Sequence, residues 1–130
     1  MRDILNKYII DSYGSEPEFL WSKFPHYAVY RHKDNKKWFA IIMDVEYRKL
    51  GVESEAKTDI INLKLGDPLL VDTLINDNGY YKAYHMAKNT WITIALDGSV
   101  SFEEIVSLLS DSYYLTASEK EKKVLHSCFD

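Results

Sequence analysis

At 130 residues, 46% apolar and 14% aromatic, the chain has material for one compact domain with a single core. Sixteen basic against twenty acidic residues leave a net charge of -4, the wrong sign for coating nucleic acid by bulk electrostatics, and no apolar run reaches the roughly 18 residues that argue for a membrane span. The lone cysteine, Cys128, excludes an internal disulfide and gives little basis for a thiolate metal site. Met1–Leu5 leads into no apolar leader segment, so a cytoplasmic protein without a membrane partner is expected. The charge is unevenly spread: residues 1–20 carry -2, residues 21–91 carry +2 from eleven bases and nine acids, and residues 92–130 carry -4.

Ile4, Leu5, Tyr8 and Ile9 share one helical stripe, and Gly14 most easily ends a helix, which predicts a helix over 2–13. Glu16-Pro17-Glu18 breaks that period. Phe19-Leu20-Trp21 is short, aromatic and β-prone, and predicts a first edge strand closed by Lys23-Phe24-Pro25. Tyr27–Arg31 and Lys37–Met43 are β-rich runs separated by a polar segment with Asp34-Asn35 near its middle, residues that tolerate left-handed turns; this predicts a hairpin. Its second strand is apolar on both faces, as a central strand covered on both sides requires. The charged stretch 46–57, punctuated by Gly51, reads as a loop or frayed hairpin with Leu50 and Val52 placed to continue a ladder.

Asp59–Leu65 alternates as a further strand. Gly66-Asp67-Pro68 then starts a helix, with Asp67 as cap and Pro68 at the first position, where its missing N–H costs nothing. That helix is predicted to run to about Asn76, with Leu70, Val71, Leu74 and Ile75 inward. Ile92–Leu96 is the cleanest strand in the chain. Ser101 and Glu104 have the spacing of a capping box ahead of Phe102, Ile105, Val106, Leu109 and Tyr113, which predicts a helix to about Tyr114. Thr116-Ala117-Ser118-Glu119 repeats the spacing and predicts a short final helix, with Lys120, Lys122 and Lys123 outward and Leu125 and Phe129 inward. The order of elements implies a single α+β domain, a central antiparallel β-sheet with helices packed against it.

Chemistry concentrates in two stretches. Arg31, His32, Lys33, Lys36 and Lys37 sit at the predicted hairpin tip, where cations suit the phosphates of DNA; lysines there equally keep a sheet soluble and block edge pairing. Tyr84-His85-Met86-Ala87-Lys88-Asn89-Thr90-Trp91 combines an imidazole, an amine and two aromatic platforms, fit for gripping a phosphate and stacking a planar group, or for plain core packing at the start of a strand. Asn62 and Lys64 share one face of their strand, either bordering a cleft near His85 or standing on a solvated face. No catalytic constellation emerges, so no enzyme is expected. His26, His32, His85 and His126 lie far apart without ligand spacing, which leaves any metal site to tertiary placement and predicts none, nor any other cofactor.

Through Arg31-His32, Lys37-Trp38-Phe39-Ala40, Asn62-Leu63-Lys64 and the Tyr84-His85-Met86-x-Lys88-x-x-Trp91 block, the chain resembles the MmcQ/YjbR family of small bacterial proteins. The resemblance runs from Phe19 to about Tyr113. It departs at Ala87, where the family usually has asparagine, and at Thr90, where a histidine often precedes the tryptophan. It implies an α+β fold with a central antiparallel sheet in a double-wing, CyaY-like arrangement, and a DNA-binding role with Arg31, His32, Lys33, Lys36, Lys37 and Lys88 as candidate contacts. It equally implies small-molecule binding of a drug-resistance type, with Trp38, Asn62, Lys64, Tyr84, His85 and Trp91 as candidates. A protein-interaction domain is the third reading. Clustered cations, a concave pocket or an exposed apolar patch, respectively, would separate the three.

Overall fold

The structure, a computed structural model, describes residues 1–129, with side chains described through residue 125. Helix α1 (Arg2–Tyr13) is followed by strands β1 (Ala28–Arg31) and β2 (Trp38–Glu46), a 3-10 turn (Tyr47–Leu50), β3 (Lys57–Lys64), α2 (Pro68–Leu74), β4 (Tyr80–Lys82), β5 (Trp91–Ala95), α3 (Phe102–Thr116) and α4 (Glu119–Phe129). The five strands form one sheet in the order β1-β2-β3-β5-β4, with every neighbouring pair antiparallel. This is the predicted α+β architecture.

Local chemistry explains most boundaries. Gly14 ends α1 at φ 65, its N–H returning to the Ile10 carbonyl. The Asp67 carboxylate accepts from the Leu69 N–H with Pro68 beside it, and the Ser101 hydroxyl accepts from the Glu104 N–H at 3.2 Å. Gly79 is required where it stands: its φ is +90, and a Cβ there would lie 2.7 Å from Ser99 Cβ and 2.8 Å from Val100 Cγ2.

Six expectations change. Phe19-Leu20-Trp21 is not a strand: only Glu18 bridges Val29, and Phe19 and Leu20 remain 58% and 48% exposed, because the segment crosses the sheet as a loop. Leu50 and Val52 do not extend a ladder, since β2 and β3 pair out to Glu46 and Lys57 and the chain between them coils into the 3-10 turn. The left-handed residue of the β1–β2 turn is Lys36, at φ 64, while Asp34 and Asn35 serve by accepting the N–H groups of Asn35 and Lys37. Leu70 does not join the inward stripe of α2, being 38% exposed, and Ile4 likewise leaves that of α1, at 61%. Finally, Ser118 rather than Thr116 caps α4, accepting from the Glu121 N–H at 3.1 Å; Thr116 still belongs to α3. The expected placement of Phe129 lies outside the described side chains.

The helices cover one face of the sheet. Leu5 and Ile9 of α1, Val71 of α2, and Ile105 and Leu109 of α3 pack with Tyr30, Phe39, Ile42, Leu63 and Ile94. The other face carries Val29, Ile41, Met43, Val45, Ile60 and Trp91, covered by Trp21, Tyr27, Tyr84 and Met86 from two loops. Between Tyr30 and Arg31 the β1–β2 register slips by one residue, so that Arg31 faces Trp38 while Tyr30 faces Ala40. Phe39 is left without a β1 partner there; on its other side, where the β2–β3 pairing ends at Ala40 and Leu63, Ser112 of α3 bridges the next step, its hydroxyl donating to the Phe39 carbonyl at 2.6 Å and accepting from the Lys64 N–H at 3.0 Å.

Candidate functional site

Antiparallel pairing gathers five strand termini at one end of the sheet. β1 finishes there at Arg31 and β2 starts at Trp38; Lys64 at the end of β3 pairs with Trp91 at the start of β5, and Lys82 at the end of β4 pairs with Ile92. With the two connecting loops, that end holds Arg31, Lys33, Lys36, Lys37, Lys64, Lys82 and Lys88, seven of the eleven bases in residues 21–91. Within residues 31–38, 64–66 and 82–91 the one carboxylate is Asp34, while Glu16, Glu18 and Glu121 lie beside the hairpin from other segments. The opposite end differs in sign. Its 46–57 connection balances three acids with three bases, and residues 76–79 and 96–104 add four carboxylates and no cation.

The predicted site residues divide by what they already bind. Lys33, Lys36 and Lys37 are exposed, and no ion pair among the described residues includes them. Arg31 is a two-bond ion pair with Glu18, at 2.6 and 2.7 Å, so its charge is largely neutralised. His32 is 3% exposed and points inward, and cannot reach a phosphate at the surface. Lys88 spends one donor on the Ala83 carbonyl at 2.9 Å, closing its own loop. Trp91 is buried, which removes it as a stacking platform; Trp38 is half-buried, set edge-on to Trp21 at 5.9 Å.

Asn62 does not stand on a solvated face. It is wholly buried, accepting from the Thr93 hydroxyl and donating to the Tyr84 carbonyl at 2.9 Å, while the Thr93 hydroxyl accepts the Tyr84 N–H at 2.8 Å. Two strand side chains thus satisfy both backbone groups of Tyr84 and anchor the loop 83–90. His85 follows at φ 60, a conformation unusual for a residue with a Cβ, with its ring against Tyr84 at 4.0 Å. The imidazole lines an apolar cavity of about 280 Å³ with Trp21, Phe24, Tyr27 and Met43. Burial, with Tyr84 beside it, pushes the Tyr27 phenol up to about 12, so it is a neutral hydrogen-bonding group at physiological pH. Lys64 and Trp38 do not line this cavity.

A second cluster surrounds His32, and sequence alone offered no trace of it. Its ring nitrogens contact Glu121 Oε2 at 3.0 Å and Thr116 Oγ1 at 2.9 Å, and its ring packs against Tyr113 at 4.4 Å. The Tyr113 hydroxyl donates to the other Glu121 oxygen; burial, then this carboxylate, raises its pKa. Asp34 accepts from the Ser118 hydroxyl, which holds its carboxyl below the usual range despite full exposure. Trp21, Phe24 and Tyr27 were also missed as cavity-lining residues, although three aromatics within seven residues are a visible signal.

Among the described residues, no helix is long and apolar enough to cross a membrane. The YjbR family model matches residues 11–115. An uncharacterized protein of Bacillus subtilis, YyaQ, is 39% identical over 115 residues, covering 88% of this chain and 97% of its own. A crystal structure of a Pseudomonas syringae protein is 43% identical and superposes with a TM-score of 0.87, covering 90% of this chain and 99% of that one. Deinococcus radiodurans protein DR2400, with a DUF419 domain, shares the fold at a TM-score of 0.70 and 22% identity, covering 97% of this chain and 88% of its own. A family match spanning most of the chain, with relatives of 39% and 43% identity along nearly their whole length, places it firmly: the chain belongs to the YjbR family.

Proposed function

We propose that this protein binds DNA through phosphate contacts at the lysine-bearing end of its sheet, as a binding protein and not an enzyme. The observation that carries this reading is the segregation of charge. A chain of net charge -4 concentrates Lys33, Lys36, Lys37, Lys64, Lys82 and Lys88 at one sheet end and leaves the opposite end acidic. Such a dipole attracts phosphate to one end despite the unfavourable total, with Lys64 and Lys82 held on strand termini and the other four lysines on the two connecting loops. Arg31 and His32 take no part in direct contact, one being paired and the other buried. The contacts are to the backbone, positioning the protein without reading bases.

A labelled duplex followed by fluorescence anisotropy, at low and at physiological salt, tests the reading. Saturable binding that weakens with salt is expected. The Lys33→Ala, Lys36→Ala, Lys37→Ala triple variant lowers the slope of log affinity on log salt by up to about three units, each phosphate contact contributing roughly one. An unchanged slope removes the hairpin from the interface, and no binding even at low salt retires DNA altogether. The aromatic cavity supports the second reading, small-molecule binding. Its five lining residues suit a planar apolar ligand, with His85 and the Tyr27 hydroxyl as polar groups to fix orientation.

A further inference from the structure

Both ring nitrogens of the buried His32 meet oxygens: Nε2 the Thr116 hydroxyl at 2.9 Å, and Nδ1 the Glu121 Oε2 at 3.0 Å. The Thr116 hydroxyl has a single proton. Turned to Nε2, it leaves the ring proton on Nδ1 for the carboxylate; turned to the Ser112 carbonyl, 2.8 Å away, it accepts from Nε2–H and leaves an Nδ1 lone pair facing Oε2. That second tautomer is the one that an ion between Nδ1 and Oε2 would select. Tyr113 gives its proton to the other Glu121 oxygen.

Two features suit an ion there. A shared proton needs no third group, yet an oxygen of Asp34 joins Nδ1 and a Glu121 oxygen, all within 4.8 Å of one another. The prospective ligands are braced from behind as metal ligands are: Nε2–H by Thr116, and the two Asp34 oxygens by the Asn35 N–H and the Ser118 hydroxyl. A cavity of about 380 Å³, lined in part by Tyr13, Ser15, Lys33 and Lys120, opens beside the cluster with room for water.

We propose that His32 Nδ1, Asp34 and Glu121 form a binding site for one divalent first-row transition-metal ion of the zinc class, with water filling the positions that face the cavity. One imidazole nitrogen and two carboxylates suit Zn²⁺ or Co²⁺, and the carboxylates neutralise the ion's charge. Glu121 belongs to α4, outside the residues that match the family model. The ion ties the hairpin tip to α4 across a junction that Asn35 already bridges, donating to the Thr116 carbonyl at 2.9 Å.

Co²⁺ titrated into the full chain, read by its visible absorption and displaced with Zn²⁺, tests the site. One equivalent is expected to bind, with Asp34→Asn and Glu121→Gln each weakening affinity at least about tenfold, a ligand mattering no less than an outer-sphere partner. Asp34 is exposed, so its substitution leaves the fold intact, as circular dichroism will verify. The double variant His126→Gln, Cys128→Ser is expected to bind as the parent does. Absence of saturable Co²⁺ or Zn²⁺ binding overturns the proposal, as does binding that survives both carboxylate substitutions or is lost in the His126, Cys128 variant. Nitrogen chemical shifts showing both His32 ring nitrogens protonated in excess Zn²⁺ overturn it in favour of a shared proton.

Discussion

On the helix-covered face of the sheet, Leu5, Ile9, Ile105 and Leu109 bury themselves against Phe39, Ile42, Leu63 and Ile94, and aliphatic packing does nearly all of the work. The opposite face is just as dry at its centre, but loops cover it, and a loop brings backbone groups that no helix ladder satisfies. Strand side chains therefore have to supply the missing partners, as Asn62 and Thr93 do for Tyr84. The same face holds the aromatic cavity and the left-handed His85. The helix layer stabilises the sheet while the loop layer, held by a few specific hydrogen bonds, is where a ligand site can be shaped.

Breaking the helix layer should have the larger effect. Leu109 is fully buried in α3, and Leu109→Ala removes side-chain volume that rigid neighbours fill poorly. A loss of about 3 kcal/mol is expected in urea unfolding, within the range for buried leucines. Asn62→Ala should cost somewhat less, about 2 kcal/mol, by stranding the Tyr84 carbonyl and the Thr93 hydroxyl in a dry interior. Its signature distinguishes it: amide exchange at Tyr84 and across 83–90 should accelerate while the α3 amides keep their protection relative to global unfolding. Equal acceleration in both places would mean that the two faces do not differ in the way their architecture suggests.

What sequence revealed and what it hid follow the same division. The bounds of helix α1 were legible because its period and Gly14 are local signals, although Ile4 of its expected stripe lies 61% exposed. The cap at Ser101 was legible too, as was β2 up to Met43, three residues short of its end at Glu46. The loop-covered face misled: Phe19-Leu20-Trp21 has a strand's composition because aromatic residues suit both a sheet and a lid laid over one, and Asn62 looked like a solvated position because the residues covering it arrive from 83–90. Strand β4, only three residues long at the sheet edge, gave no periodicity to read. Thr116 looked like a cap since its spacing to Glu119 repeats that of Ser101 to Glu104, yet its hydroxyl is committed to His32. The His32 cluster was beyond reach altogether, as 89 positions separate His32 from Glu121 and neither stands in a ligand motif.

The smallest expected effect tests the contrast from the other side. Tyr80 packs in the helix-covered core, and its hydroxyl is buried with no hydrogen-bond partner among the described residues. Burial, then the Glu104 carboxylate nearby, pushes its ionisation above the ordinary tyrosine range, so the phenol stays neutral while folded; Glu104 stands close without completing a hydrogen bond, and a neutral hydroxyl left so still loses its hydration on folding. If aliphatic packing alone holds this face, Tyr80→Phe keeps the ring and discards a desolvation cost. Stability should be unchanged or rise by up to about 1 kcal/mol, read as a shift of the urea midpoint at constant m-value. A loss of similar size would reveal a partner for that oxygen, and would put on the helix-covered face a polar requirement of the kind that Asn62 represents on the other.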